Sequence, residues 1–275
     1  MDKFGDICRK IRNAEIQGAE NVAKAAVRAL MIKSDKKSVN EIISLRPTEP
    51  CLRNAVNFIM EDPKRLGPAA LEHFEKSAQK IAEYGAKKIE NGMVVFTHCH
   101  SSSVMSILKE ARRQGKKFEL HNTETRPLLQ GRKTASEAAA LGIKVKHYVD
   151  SAARFALKKA DIFLFGADAV TTYGKVINKV GTEMFAEIAE KYDIPAYCCT
   201  DSWKFDPKTV FGFTEPIERR GADEVWKNPP KNVEIVNLAF EKIDPHLIAA
   251  IISELGVYPL DSFLDEVMKT YPFLK

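Results

Sequence analysis

The stretch Met93-Val94-Val95-Phe96-Thr97-His98-Cys99-His100-Ser101-Ser102-Ser103 decides the fold. Its first five residues form a short, largely apolar run without helical spacing. The serines that follow are residues that open helices, so the text reads as strand, turn and helix start. The same pattern recurs downstream. Apolar runs at Met93 to Thr97, Phe118 to Asn122, Val145 to Val149, Ile162 to Gly166, Ala196 to Thr200 and Val233 to Val236 are predicted strands. Helices are expected between them over Val104 to Gln114, Lys133 to Leu141, Ser151 to Lys159 and Met184 to Tyr192. Strands alternating with helices predict an α/β fold with a mostly parallel, doubly wound sheet.

Upstream, from Phe4 to about Gly85, the apolar residues recur at three- and four-residue intervals, as in Val22, Ala25, Ala26, Ala29 and Leu30. That spacing predicts a helical amino-terminal domain over 1–90, with an α/β domain carrying a ligand pocket over 91–275 and the change of character at Asn91-Gly92. Pro47, Pro50 and Pro63 punctuate the helices. The Asp62-Pro63 step is expected to end one helix and the Gly67-Pro68 step to open the next.

Bulk properties narrow the class. No apolar run approaches the ~18 residues of a spanning helix, and the first residues, Met1-Asp2-Lys3-Phe4-Gly5-Asp6, lack the start of a secretory signal. A water-soluble cytoplasmic protein with no membrane partner is expected. Five cysteines (Cys8, Cys51, Cys99, Cys198, Cys199) without a C-x-x-C pair suit reduced thiols rather than a disulfide framework or structural zinc. The 42 basic and 37 acidic residues are intermingled, which argues only weakly for a nucleic-acid partner. There is no G-x-G-x-x-G, Walker loop, G-x-S-x-G or H-E-x-x-H. His98 and His100 share a side of their strand, but no third ligand is evident nearby, so neither metal nor cofactor is expected.

In such a sheet ligands bind beyond the carboxyl ends of the strands, where free N–H groups of loops and helix starts converge. Cys99, followed by Ser101, Ser102 and Ser103, stands at one such place, where a helix start lowers a thiol pKa and attracts phosphate. Asp168 follows Ile162-Phe163-Leu164-Phe165 at another and could carry protons beside the thiol. Asn178, Lys179 and Lys204, on loops after successive runs, could converge on one phosphate, and Arg46 and Arg126, each before a proline, are placed to hold a guanidinium steady. Each has a plainer reading. A cysteine at a strand end is ordinarily a small buried hydrophobe, an aspartate in a Gly-Ala-Asp turn ordinarily a helix cap, and lysines and arginines ordinarily surface or ion-pair residues.

Taken together the motifs resemble those of the family that groups the alpha, beta and delta subunits of translation initiation factor 2B with methylthioribose-1-phosphate isomerase and ribose-1,5-bisphosphate isomerase. The matching text is Arg46-Pro47-Thr48, Thr97-His98-Cys99, Glu124-Thr125-Arg126-Pro127 with Gln130-Gly131, Gly166-Ala167-Asp168 and Val176 to Thr182. It continues through Lys204-Phe205 and Asn237 to Ile251-Ile252-Ser253-Glu254-Leu255-Gly256. The resemblance implies a Rossmann-like second domain and assembly as a homodimer or larger oligomer. It also implies Cys99 and Asp168 as the proton-moving pair of an aldose–ketose isomerisation. Arg46, Asn178, Lys179 and Lys204 are its implied phosphate and hydroxyl ligands, and the serines 101–103, Arg126 and Gln130 are further expected substrate contacts. Two positions depart from the bisphosphate isomerases: Gln17-Gly18-Ala19-Glu20 replaces an Arg-Gly-Ala-Gly loop, and Ser102 replaces a lysine. The exchange removes cations that would hydrogen-bond phosphate, each such bond being worth roughly 1.5–3 kcal/mol.

Three functions follow. The first is a regulatory protein that binds initiation factor 2 and senses a phosphorylated sugar or nucleotide in the pocket. The second is an active isomerase of a ribose (bis)phosphate or other sugar 1-phosphate, and the third an oligomeric scaffold with an unused pocket.

Overall fold

Asp2, Asp35 and Asp62 each open a helix, their carboxylates accepting hydrogen bonds from the N–H groups of Gly5 (2.7 Å), Ser38 (3.1 Å) and Arg65 (3.1 Å). The structure, a computed structural model, describes residues 2–13, 15–211 and 219–274. Five helices come first: α1 (Lys3–Arg12), α2 (Ala19–Ile32), α3 (Lys36–Leu45), α4 (Pro50–Ile59) and α5 (Pro63–Ala86). Pro50 and Pro63 occupy first-turn positions, where a missing N–H costs nothing. The Gly67-Pro68 step does not open a helix as expected but lies inside α5. Pro68 forfeits one ladder bond there. Gly67 lets α5 press on α2, since a Cβ at that position would come within 2.6 Å of the Met31 side chain.

The remainder alternates β1 (Val94–Thr97), α6 (Ser102–Arg113), β2 (Glu119–Thr123), α7 (Gln130–Ala140), β3 (Lys144–Tyr148), α8 (Ala153–Leu157) and β4 (Ile162–Gly166). It continues with β5 (Ala169–Thr171), β6 (Val176–Lys179), α9 (Thr182–Lys191), β7 (Ala196–Cys199), β8 (Phe205–Asp206), β9 (Phe240–Ile243), β10 (Ala250–Ser253), β11 (Gly256–Tyr258) and α10 (Leu260–Thr270). A seven-stranded sheet runs in the order β11-β10-β7-β4-β1-β2-β3, parallel except for the β10–β11 pair. This is the expected doubly wound sheet beside a helical amino-terminal region. Its central strands are buried on both faces. Phe96, Phe163 and Phe165 join the core shared with α1, α2, α4 and α5, while Val95, Ile162 and Leu164 point to the opposite core with Ile107 and Leu120. No helix among the described residues is long and apolar enough to cross a membrane.

One strand and one helix expectation are corrected. Val233 to Val236 is not a strand; Val233 and Val236 are exposed on an irregular segment, and the sixth parallel strand is β10. The sequence around β10, Leu247-Ile248-Ala249-Ala250-Ile251-Ile252, is an unbroken apolar run that periodicity cannot assign to strand or helix. The helix expected over Ser151 to Lys159 shrinks to a 3-10 turn followed by the five residues of α8. A four-stranded sheet, β8-β5-β6-β9, was not foreseen and grows out of the loop after β4.

Candidate functional site

Strand order reverses between β1 and β4, which are paired with Thr97 opposite Leu164. At such a switch point the two following loops diverge and leave a crevice. Two residues beyond the last pair stand Cys99 and Gly166, and Asp168 follows two later. Gly166 is required because Ser101 passes over it, with Oγ 2.6 Å from where a Cβ would lie. Ser101 in turn opens α6, its hydroxyl accepting from the N–H of Val104.

Cys99 has a left-handed backbone, φ 63°. For a non-glycine residue that conformation costs roughly 1–2 kcal/mol and persists only where neighbours impose it. Here the Thr125 hydroxyl accepts from the Cys99 N–H (3.0 Å) and the Thr134 hydroxyl donates to the Cys99 carbonyl (2.8 Å). Thr125 is itself left-handed, φ 62°, its N–H donating to Asp150 at 2.8 Å. His98 anchors the same turn. Its Nδ1 meets the Thr123 hydroxyl at 2.9 Å and its Nε2 the Val180 carbonyl at 3.1 Å, and burial pushes the imidazole down to about 4, so it is neutral at physiological pH. His100, which also lines the cavity at this switch point, meets Glu137 at 3.2 Å.

A cavity of about 210 Å³ opens here. Of the residues singled out in the sequence, Arg46, Cys99, Ser101, Ser102, Gln130, Asp168, Asn178, Lys179 and Lys204 line it. Ser103 and Arg126 do not: Ser103 is buried within α6, and Arg126 is exposed, its guanidinium donating to the Val225 carbonyl at 3.3 Å. Cys99 alone of the five cysteines is partly exposed. The expected lowering of its pKa is overturned. Burial pushes the thiol up to about 11, with the Lys179 cation opposing and the Asp168 charge adding to the rise. A helix start acts on what faces it, and the net effect here is desolvation.

The cations arrive by routes the sequence did not show. Asn178 and Lys179 end strand β6 of the small sheet rather than a loop of the main one. Asn178 donates to the Thr182 hydroxyl at 3.0 Å, and the Lys179 ammonium lies 4.7 Å from the Phe240 ring centre. Lys204, after β7, donates to the Ala167 carbonyl at 2.6 Å. Its loop is clamped by α4. Asn54 donates to the carbonyls of Trp203 (2.8 Å) and Phe205 (2.7 Å), and Arg53 pairs with Asp206 at 2.9 Å, all buried. Arg46 donates to the Ile11 carbonyl at 3.1 Å and stands 4.0 Å from Glu49.

Lys133, Arg220, Glu49 and Phe240 also line the cavity and were missed. Lys133 sits one helical turn after Gln130, a spacing that could have found it. Arg220 lies on an irregular segment with no pattern to read. The two residues noted as departures meet each other: the Ser102 hydroxyl donates to Glu20 at 3.1 Å, and Glu20 also holds Lys24 at 2.5 Å.

Comparison with known proteins agrees with this architecture. The model of the Initiation factor 2 subunit family matches residues 9–260. The chain is 35% identical to ribose 1,5-bisphosphate isomerase of Thermococcus kodakarensis, over 94% of its own length and 92% of that protein's. It is 34% identical to methylthioribose-1-phosphate isomerase of Thermosipho africanus, over 81% of this chain and 73% of that one. Among solved structures, the translation initiation factor eIF-2B of Pyrococcus horikoshii superposes with a TM-score of 0.84 at 27% identity, covering 94% of this chain and 98% of that one. The chain belongs to the Initiation factor 2 subunit family.

Proposed function

We propose that this member of the family is an aldose–ketose isomerase of a sugar phosphate, with Cys99 and Asp168 as its catalytic pair. One observation carries the reading: thiol and carboxylate border the same cavity at the strand-order switch, with Lys179 and Lys204 on its walls. The names of the relatives support it over a purely regulatory role.

A sugar 1-phosphate has no free oxygen on carbon 1, so the bond that opens joins carbon 1 to the ring oxygen. The resting pair is a neutral thiol and a carboxylate. Moving one proton from sulfur to Asp168 gives the working pair, a thiolate base and a carboxylic acid. The thiolate takes the proton from carbon 2, the electron pair forms the carbon 1–carbon 2 double bond, and the ring oxygen leaves with the proton of Asp168. Asp168 then removes the proton of the carbon 2 hydroxyl while the thiol returns its own to carbon 1. The ketose results and the pair is restored. Lys179, Lys204, Asn178 and Arg46 hold the phosphate and hydroxyls, with Ser101, Ser102 and Gln130 as further contacts. Cys99→Ser and Asp168→Asn are tested on a panel of pentose and hexose 1-phosphates. Both should abolish turnover and leave the circular dichroism unchanged. Wild-type protein that isomerises nothing on the panel refutes the reading.

A second reading, a regulatory subunit that binds initiation factor 2 and senses a sugar phosphate or nucleotide, is favoured by the carboxylate of Glu20 in the cavity wall. Co-purification of initiation factor 2 with the tagged protein tests it, and consistent failure of recovery counts against it. A homodimer or larger oligomer belongs to both readings and is checked by sedimentation. The division into a helical domain, 1–90, and an α/β domain, 91–275, is likewise proposed.

A further inference from the structure

We propose, resting on the sugar-phosphate reading of the cavity, that Glu20 sets its substrate class: a sugar with one phosphate and a free hydroxyl at its other end, a second phosphate being excluded. Gly18, at φ 85°, turns the chain so that the start of α2 faces the cavity, close to the start of α6. Two helix amino termini on one wall ordinarily attract an anion from solution. On this wall the anion is the chain's own. The Glu20 carboxylate accepts from the Ser102 hydroxyl at 3.1 Å and pairs with Lys24 at 2.5 Å, so the nearby hydroxyl donor and the nearby ammonium are both engaged.

A phosphate dianion arriving here meets a fixed negative charge in a partly desolvated recess, where repulsion is stronger than in water. A hydroxyl meets an acceptor. Glu20 keeps 17% of its side-chain surface exposed, enough to be reached from the cavity, and a carboxylate offers about four lone-pair sites, more than its two partners use. The cations Lys179 and Lys204 come from the small sheet and from the loop after β7, not from α2. The cavity therefore has Lys133, Lys179 and Lys204 on the walls built by the α/β region, Arg46 after α3, and the Glu20 carboxylate at the start of α2. Discrimination by an unfavourable contact of this kind is a specificity device in its own right.

The test is calorimetric titration and turnover of the full-length protein with ribose 1-phosphate and, separately, ribose 1,5-bisphosphate. Wild type should bind the monophosphate at least about tenfold more tightly. Glu20→Gln, which keeps size but removes charge, should raise bisphosphate affinity about tenfold relative to that of the monophosphate. Ser102→Lys, at an exposed position, should likewise raise bisphosphate affinity relative to that of the monophosphate and decides the matter if Glu20→Gln misfolds. Equal or tighter wild-type binding of the bisphosphate overturns the proposal, as does an unchanged ratio in the variants or no binding of either ligand. Selective binding that shifts as stated but without turnover upholds the role of Glu20 and sinks the isomerase. Turnover of the bisphosphate with a ratio insensitive to both variants does the reverse.

Discussion

His73, Asp201 and Glu254 make a second group of titratable side chains, between α5 and the ends of β7 and β10, and it differs from the cavity in what faces it. Their potential ligand atoms lie within 4.8 Å of one another. His73 pairs with Asp201 at 3.1 Å and stacks on Trp203, ring centres 3.9 Å apart. Asp201 accepts from the Trp203 N–H at 2.8 Å, and Glu254 from the Ser202 N–H at 3.1 Å, the Ser202 hydroxyl and the Tyr271 hydroxyl at 3.2 Å. His73 and Asp201 are paired with each other, and Glu254 is held by Ser202 and Tyr271. Cys99 and Asp168 line the cavity, and the strained turn at Cys99 is held by the hydroxyls of Thr125 and Thr134. Buried charge that is closed on itself serves stability, whereas buried charge left facing a cavity is available for chemistry.

The contrast can be broken by mutation. The largest effect expected is on rate: Cys99→Ser or Asp168→Asn should lower turnover by roughly a thousandfold or more, with the melting temperature unchanged. A fall in stability of several degrees would mean that the cavity pair is structural after all. Asp201→Asn should do the converse, destabilising by roughly 3 kcal/mol through loss of one member of a buried pair, read as the denaturation midpoint. A neutral outcome would remove the distinction.

The pH dependence sharpens it further, because Glu254 and His73 have the sign opposite to that of His98. Burial and the Asp201 charge lift Glu254 to about 7, so its contribution is complete below its ordinary 4.5 and is lost as pH rises toward 7. His73, which burial lowers but the charge and hydrogen bond of Asp201 and the charge of Glu254 together raise, likewise loses its contribution as pH rises beyond 6.5. Asp201 is lowered by His73 against burial, so its contribution is lost only as pH falls below 3.8. His98, held at about 4, works the other way and adds stability as pH rises from 4 to 6.5. Glu254→Gln should therefore make the melting temperature rise relative to wild type between pH 4.5 and 7. Superimposable pH profiles would show that Glu254 does not titrate there. The rate has its own signature. The working pair needs one shared proton, so kcat/KM should hold a plateau through neutral pH and fall only as the thiol ionises toward about 11. The smallest effect is that of Thr134→Val, which should cost about 1 kcal/mol and lower kcat several-fold as the carbonyl of Cys99 loses its donor.

Strands β1, β4 and β7 were legible because they are largely buried and their sequences are short, mostly apolar runs. The positions of Cys99 and Asp168 at strand ends followed from those runs. Lys179 was visible as a cation but not as a strand residue, since the small sheet consists of strands of two to four residues, below what periodicity resolves. The thiol pKa was misjudged because it depends on how deeply the turn is covered, a property of tertiary packing. The companions Lys133, Glu49 and Arg220 come from three distant segments that only the folded chain brings together. The meeting of Glu20 with Ser102, 82 residues apart, was invisible for the same reason.

The bolts from Asn54 and Arg53 to the loop of Lys204 bear on how such a chain can be dissected. An excised fragment starting at residue 91 would leave the Trp203 and Phe205 carbonyls and the Asp206 carboxylate without their donors, loosening the lysine next to them. Swapping the first ninety residues between relatives would carry the same penalty unless positions 53, 54 and 206 travelled as a set.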